Sequence, residues 1–143
     1  MSRSLELGLS LVGGGDCASD WEDFARLLEG KSVGVLKHGN GPDETMDMAI
    51  AFVKQRKPSL TFVHCDHVDS GGHKFGDDTS EYYQAVAKAD ALVGRMLAAL
   101  NDAGIADRTI VLITSDHGGV GKKHGGATMA NHTALTAAYI PAP

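Results

Sequence analysis

The sequence predicts an α/β fold, with a mainly parallel sheet sandwiched by helices. Two short runs, Leu60–His64 and Thr109–Thr114, are apolar without alternation, as strands buried on both faces are. Amphipathic helical segments separate the candidate strands. Loops rich in histidine and glycine follow both runs, at the end of a parallel sheet where ligands bind. The length, 143 residues, fits one domain spanning residues 1–143.

The elements follow in order. Leu5, Leu7, Leu9 and Leu11 alternate with Glu6, Gly8 and Ser10, the period of a half-buried strand, which Gly13-Gly14-Gly15 ends. Ser19 and Glu22 match a capping box, so a helix is expected with Trp21, Phe24, Ala25 and Leu28 on one face and a stop at Gly30. A strand is expected over Ser32–Lys37, then a turn at His38–Pro42. Asp43 is placed to cap a helix whose apolar stripe is Met46, Ala49, Ile50 and Val53. Basic Lys54, Arg56 and Lys57 suit its C-terminal end, and Pro58 stops it. After the strand Leu60–His64, a loop is expected from about Cys65 to Asp78. Asp78 and Glu81 match a second capping box, opening a helix with Val86, Ala89, Val93, Met96, Leu97 and Leu100 facing inward and Gly104 as its C-terminal cap. Thr109–Thr114 is a strand expected close to Leu60–His64 in the sheet. A glycine-rich loop runs from Ser115 to about Ala127, and Thr136–Ile140 is a last strand.

Composition excludes several classes. The net charge is −5 and there is no basic run or basic-aromatic stripe, which argues against nucleic acid as a partner. No apolar stretch approaches the ~20 residues of a membrane helix, and Met1–Ser10 lacks the apolar block of a signal peptide. Two cysteines, Cys17 and Cys65, make no disulfide framework and read as reduced thiols. A cytoplasmic location is slightly favoured on these grounds.

The chemistry gathers in the two loops. The first contains Asp66, His67, Asp69 and His73; the second contains Asp116, His117, Gly118, Gly119, Lys122, Lys123 and His124. Carboxylate oxygen and imidazole nitrogen together suit zinc and related divalent ions. Adjacent side chains in a strand point to opposite faces, so Asp116 and His117 can serve one ion only where the strand has ended. A lone Asp-His pair after a strand is ordinarily a solvated loop; the joint occurrence of these elements at one end of a sheet favours a metal site.

The segment Asp69-Ser70-Gly71-Gly72-His73-Lys74-Phe75-Gly76, with Thr114-Ser115-Asp116-His117-Gly118-Gly119 and His124-Gly125-Gly126, resembles the metal-binding elements of type I phosphodiesterases and nucleotide pyrophosphatases. These belong to the alkaline phosphatase superfamily. The resemblance runs from about Ser32 to Thr128. It implies two divalent ions, zinc first, with manganese or magnesium as alternatives. It implies Asp69, His73 and His124 as ligands of one ion, and Asp116 and His117 as ligands of the other. His132 is a rival for the role of His124. The implied activity is hydrolysis of small phosphate esters by two-metal in-line displacement. Lys122 and Lys123 could attract an anionic substrate.

The family pattern also has an aspartate after the first strand and a serine or threonine nucleophile at a helix N-terminus. Asp16 is the nearest stand-in for the aspartate, Ser19 reads as a helix cap, and neither nucleophile nor substrate-binding residues are identified. The chain therefore reads as the C-terminal portion of a longer catalytic domain, its fold incomplete. An exposed sheet edge would favour a homo-oligomer. Two other readings stay open: a non-catalytic metal-binding or interaction fragment, and a sulfatase, phosphatase or phosphomutase relative. A phosphate-loop module at Gly13-Gly14-Gly15 is disfavoured, because no phosphate-loop lysine pattern follows.

Overall fold

The structure is a computed structural model that describes residues 15–21, 23, 26 and 33–141. The alternating Leu5–Leu11 segment and most of the helix expected before Gly30 lie outside these residues.

Strands β1 (Gly15–Ser19), β2 (Val33–His38) and β3 (Thr61–His64) form a parallel sheet in the order β2-β1-β3. Ser19, expected as a helix cap, instead ends β1. Its Oγ still accepts a hydrogen bond from the Trp21 N–H, 3.1 Å away, so the capping chemistry survives as a turn.

Helix α1 (Pro42–Arg56) starts at Pro42, whose fixed φ suits the first helical position. Gly41, rather than the expected Asp43, is its N-cap; Asp43 lies in the first turn beside Glu44, two residues inside the cap and favourable to the dipole. Met46, Ala49 and Val53 are buried as expected, joined by Phe52. Ala18, Ala49 and Phe52 make one apolar cluster, against which Met48, Val63 and Met96 pack. Thus α1 lies on the sheet.

The expected loop after β3 is in fact largely helical: α2 spans His67–Phe75. Histidine and glycine are poor helix formers, so local propensity does not produce it. Packing against α3 supports it: side chains added at Gly71 and Gly72 would meet Ala85 and the Tyr82 ring at ordinary contact distance. Helix α3 (Ser80–Asp102) is capped by Thr79, which accepts from the Tyr82 N–H, rather than by Asp78. Asp78 itself adopts φ +56. Gly104 takes φ +66 just after α3, the left-handed conformation expected of it. Leu92, Ala99 and Leu100 are buried, whereas Val86 is 41% exposed and not part of the core. Val53, Leu100 and Ile105 form the second cluster.

A short 3₁₀ turn (Ala106–Arg108) leads to β4 (Val111–Thr114). Its hydrogen-bonding partner is β5 (Thr136–Tyr139), antiparallel, with Val111 opposite Tyr139. The expected adjacency of β4 to β3 in one sheet is not observed among the described residues: β3 ladders with β1 and β4 with β5. A short helix, α4 (Met129–His132), precedes β5. Val111 leans on the second apolar cluster, while Leu112 faces solvent.

Candidate metal centre

The site is built on α2. Asp69 and His73 are four residues apart, so they sit one above the other on one helix face. His73 Nε2 lies 3.3 Å from Asp69 Oδ2. The loop after β4 brings His124, whose Nε2 is 3.9 Å from Asp69 Oδ1. The His73 and His124 rings are 4.8 Å apart at their centroids. Asp69, His73 and His124 each offer one donor atom, all within 4.8 Å of one another.

Hydrogen bonding orients these donors. His73 Nδ1 is 3.0 Å from the Lys122 carbonyl oxygen, so the Nδ1–H donates there. A neutral imidazole so held turns the Nε2 lone pair toward the Asp69 carboxylate. Two lone-pair-bearing atoms facing each other need a cation or a proton between them. A backbone carbonyl fixing the far ring nitrogen is the usual support of a ligand histidine. The donor set therefore fits a divalent ion of the zinc class.

His117 follows the same pattern. Its Nδ1 is 2.9 Å from the Gly118 carbonyl oxygen, and its Nε2 is 3.6 Å from Asp116 Oδ2. The strand has ended at Thr114, so the adjacent pair can converge. Asp116 is highly exposed and stands outside the three-residue cluster, but the His117 ring stacks on His124, 4.0 Å between centroids. Gly118 is required for close approach, since a Cβ there would collide with the Ala130 carbonyl oxygen. His132 does not join the group; its Nδ1 is 2.8 Å from the Thr128 carbonyl oxygen.

The two donor-bearing segments are clasped. The Asp77 N–H donates to the Gly121 carbonyl oxygen at 2.8 Å, and the Gly121 N–H donates to Asp77 Oδ1 at 2.7 Å. Lys122 and Lys123 are exposed beside them.

Asp16 does not serve this site. It pairs with Thr61, at the start of β3, so it lies at the opposite end of the sheet. Its carboxylate is buried with Arg56 Nε 2.8 Å away. Ser19 lies at the correct end but is buried, with Oγ 3.2 Å from His64 Nδ1, which leaves a substrate no access. The residues that sequence reading missed here are Asp20 and Cys65. The sequence presents Cys65 only as a reduced thiol and does not single out Asp20. The register Ser19 opposite His64 makes them neighbours just past the carboxyl ends of β1 and β3. Burial, with the Asp20 charge, pushes the Cys65 thiol up to about 12.

Residues 18–132 match the family model of type I phosphodiesterase/nucleotide pyrophosphatase. The chain belongs to this family. An uncharacterised pyrophosphatase/phosphodiesterase of Schizosaccharomyces pombe is 31% identical over 100 residues, 70% of this chain and 18% of that protein. Arylsulfatase K of Xenopus laevis is 46% identical over 48 residues, 34% of this chain and 9% of that protein. Murine ectonucleotide pyrophosphatase/phosphodiesterase 5, solved in complex with AMP, has a TM-score of 0.59 at 18% identity, over 75% of this chain and 29% of that one. That likeness shows the alkaline phosphatase-like fold. The chain spans less than a third of the length of each of these type I phosphodiesterase relatives and of the sulfatase.

Proposed function

We propose that this chain supplies the metal-binding portion of a hydrolase of small phosphate esters, as the C-terminal part of a longer catalytic domain. The observation that carries the reading is the convergence of Asp69, His73 and His124 on one point from α2 and the loop after β4. Family membership supports the reaction class. Asp69, His73 and His124 would hold one ion, and Asp116 and His117 would offer donors to a second. Bound divalent ions would supply Lewis-acid stabilisation of charge growing on phosphoryl oxygens during in-line displacement. Zinc suits the nitrogen and oxygen donors best, with manganese or magnesium as alternatives. The chain's own residues then have plain tasks. The Lys122 carbonyl holds the His73 ring, and the Gly118 carbonyl holds His117. Lys122 and Lys123 would draw an anionic ester toward the centre by charge.

None of the described residues is assigned as the nucleophile, so the chain alone should turn over p-nitrophenyl phosphate esters poorly while binding zinc. Elemental analysis and a kinetic assay test this together. Absence of bound divalent metal would overturn the site, and brisk turnover abolished by His73→Ala would overturn the idea of a partial catalytic domain. A sulfate-ester substrate is the second reading, favoured by the similarity to arylsulfatase K. It would show as a preference for p-nitrophenyl sulfate once the missing catalytic parts are supplied.

A further inference from the structure

The other end of α2 holds a second group of donors. In the parallel register of β1 and β3, Ser19 stands opposite His64. The next residues, Asp20 and Cys65, therefore leave the sheet side by side. The Asp20 N–H approaches the His64 carbonyl oxygen at 3.4 Å, and Asp20 Oδ1 accepts from the Asp66 N–H at 2.7 Å. One carboxylate oxygen thus fixes the turn into α2. His67, the first residue of α2, reaches back to the same place. Asp20, Cys65 and His67 each offer a donor atom within 4.8 Å of the others.

The state of the His67 ring is informative. Its Nε2 lies 3.1 Å from the Ala85 carbonyl oxygen, so the Nε2–H donates there. Its Nδ1 is buried and has no hydrogen-bond partner among the described residues. A buried nitrogen lone pair without a partner carries an uncompensated desolvation cost. A metal ion would remove that cost, and the carbonyl on the far nitrogen is the usual support of a ligand imidazole. One oxygen, one sulfur and one nitrogen donor suit zinc, with a fourth tetrahedral place left for water.

We propose that Asp20, Cys65 and His67 form a further, separate site for a zinc-class ion, which ties the end of β1 to the start of α2. It stands apart from the centre at Asp69, His73 and His124. His67 and Asp69, two residues apart on α2, project to nearly opposite faces of the helix, and the rise from His67 to His73 is about 9 Å. An ion here joins elements that otherwise meet through the Asp20–Asp66 hydrogen bond and the end of the β1–β3 ladder.

The test uses the whole chain carrying His73→Ala and His124→Ala, which removes the Asp69 centre and leaves Asp116 and His117, neither of them a sulfur donor. Titrated with cobalt(II), this variant should develop the near-ultraviolet absorption of a thiolate bound to cobalt. Adding Cys65→Ser should abolish the band, and adding Asp20→Asn should weaken binding at least tenfold. Cys17, 3% exposed within β1, is not a competing ligand. X-ray absorption of the zinc-loaded double variant needs no change at Cys65, so it stands even if Cys65→Ser does not fold. It should show one sulfur at about 2.3 Å. Uptake of no ion by the double variant, a first shell without sulfur, or a band that persists in Cys65→Ser would each overturn the proposal.

Discussion

His117 stacks on His124, with 4.0 Å between ring centroids and 22° between ring planes. The two proposed ligand sets are therefore in mechanical contact: a ligand of one ion is the packing surface for a ligand of the other. His124→Ala should remove a donor from the Asp69 centre and also free the His117 ring. Loss of zinc affinity should be tenfold or more, and the imidazole resonances of His117 should broaden. His117→Ala should leave His73 and Asp69 in place and weaken zinc at that centre less. Titration followed by histidine NMR compares the two. Equal losses would argue against the division of ligands.

Leu100 lies in the cluster with Val53 and Ile105, where the end of α3 meets α1. Leu100→Ala should cost about 2–5 kcal/mol, as buried leucine truncations do. Urea unfolding in metal-free buffer measures it. A cost below about 1 kcal/mol would mean that the site collapses around the cavity.

Asp16 is a buried carboxylate whose oxygens have no hydrogen bond among the described residues, while Arg56 approaches at 2.8 Å without alignment for one. Charge alone compensates its burial. Arg56→Ala should destabilise the chain by about 1–3 kcal/mol. Asp16→Asn combined with Arg56→Ala should recover part of the loss, because the stranded charge is gone. Chemical denaturation of the two variants and the parent decides this, and no recovery would count against the charge argument.

Asp43 binds Lys88 across the α1–α3 contact and lies near Arg95, which also pairs with Asp47. The Lys88 hydrogen bond, foremost, holds the Asp43 carboxyl below the ordinary carboxylate range. Its folded value is thus below its unfolded value. The contribution is present above about pH 4, the unfolded value, and is lost as pH falls through the folded one. The stability difference between parent and Asp43→Asn should be small near neutrality, shrink on acidification and shrink with salt. Unfolding midpoints across a pH series at two ionic strengths check it. A difference that grows on acidification would reverse the assignment.

The three converging donors, Asp69, His73 and His124, were legible in the sequence through the resemblance of their segments to the metal-binding elements of type I phosphodiesterases. Helix α2 itself was not legible. Gly71 and Gly72 look like loop residues until α3 is present for them to pack against. The position of β4 was misjudged for a related reason. Its apolar run fits any sheet, and only the antiparallel pairing with β5 separates it from β3. Asp16 failed as a metal aspartate because sequence proximity to a strand does not say which end of the strand a side chain occupies. Asp20 and Cys65 became neighbours through strand register, a relation between segments 45 residues apart that no local pattern encodes.

The reciprocal bonds between Asp77 and Gly121, with the His73–Lys122 bond, hold the two donor-bearing segments together through backbone groups of Gly121 and Lys122. Arrival of an ion then requires little rearrangement. Chelation should accordingly empty the Asp69 centre while leaving amide exchange at Asp77 and Gly121 slow. Loading and chain folding become separate events, and an ion can be exchanged without the molecule losing its shape.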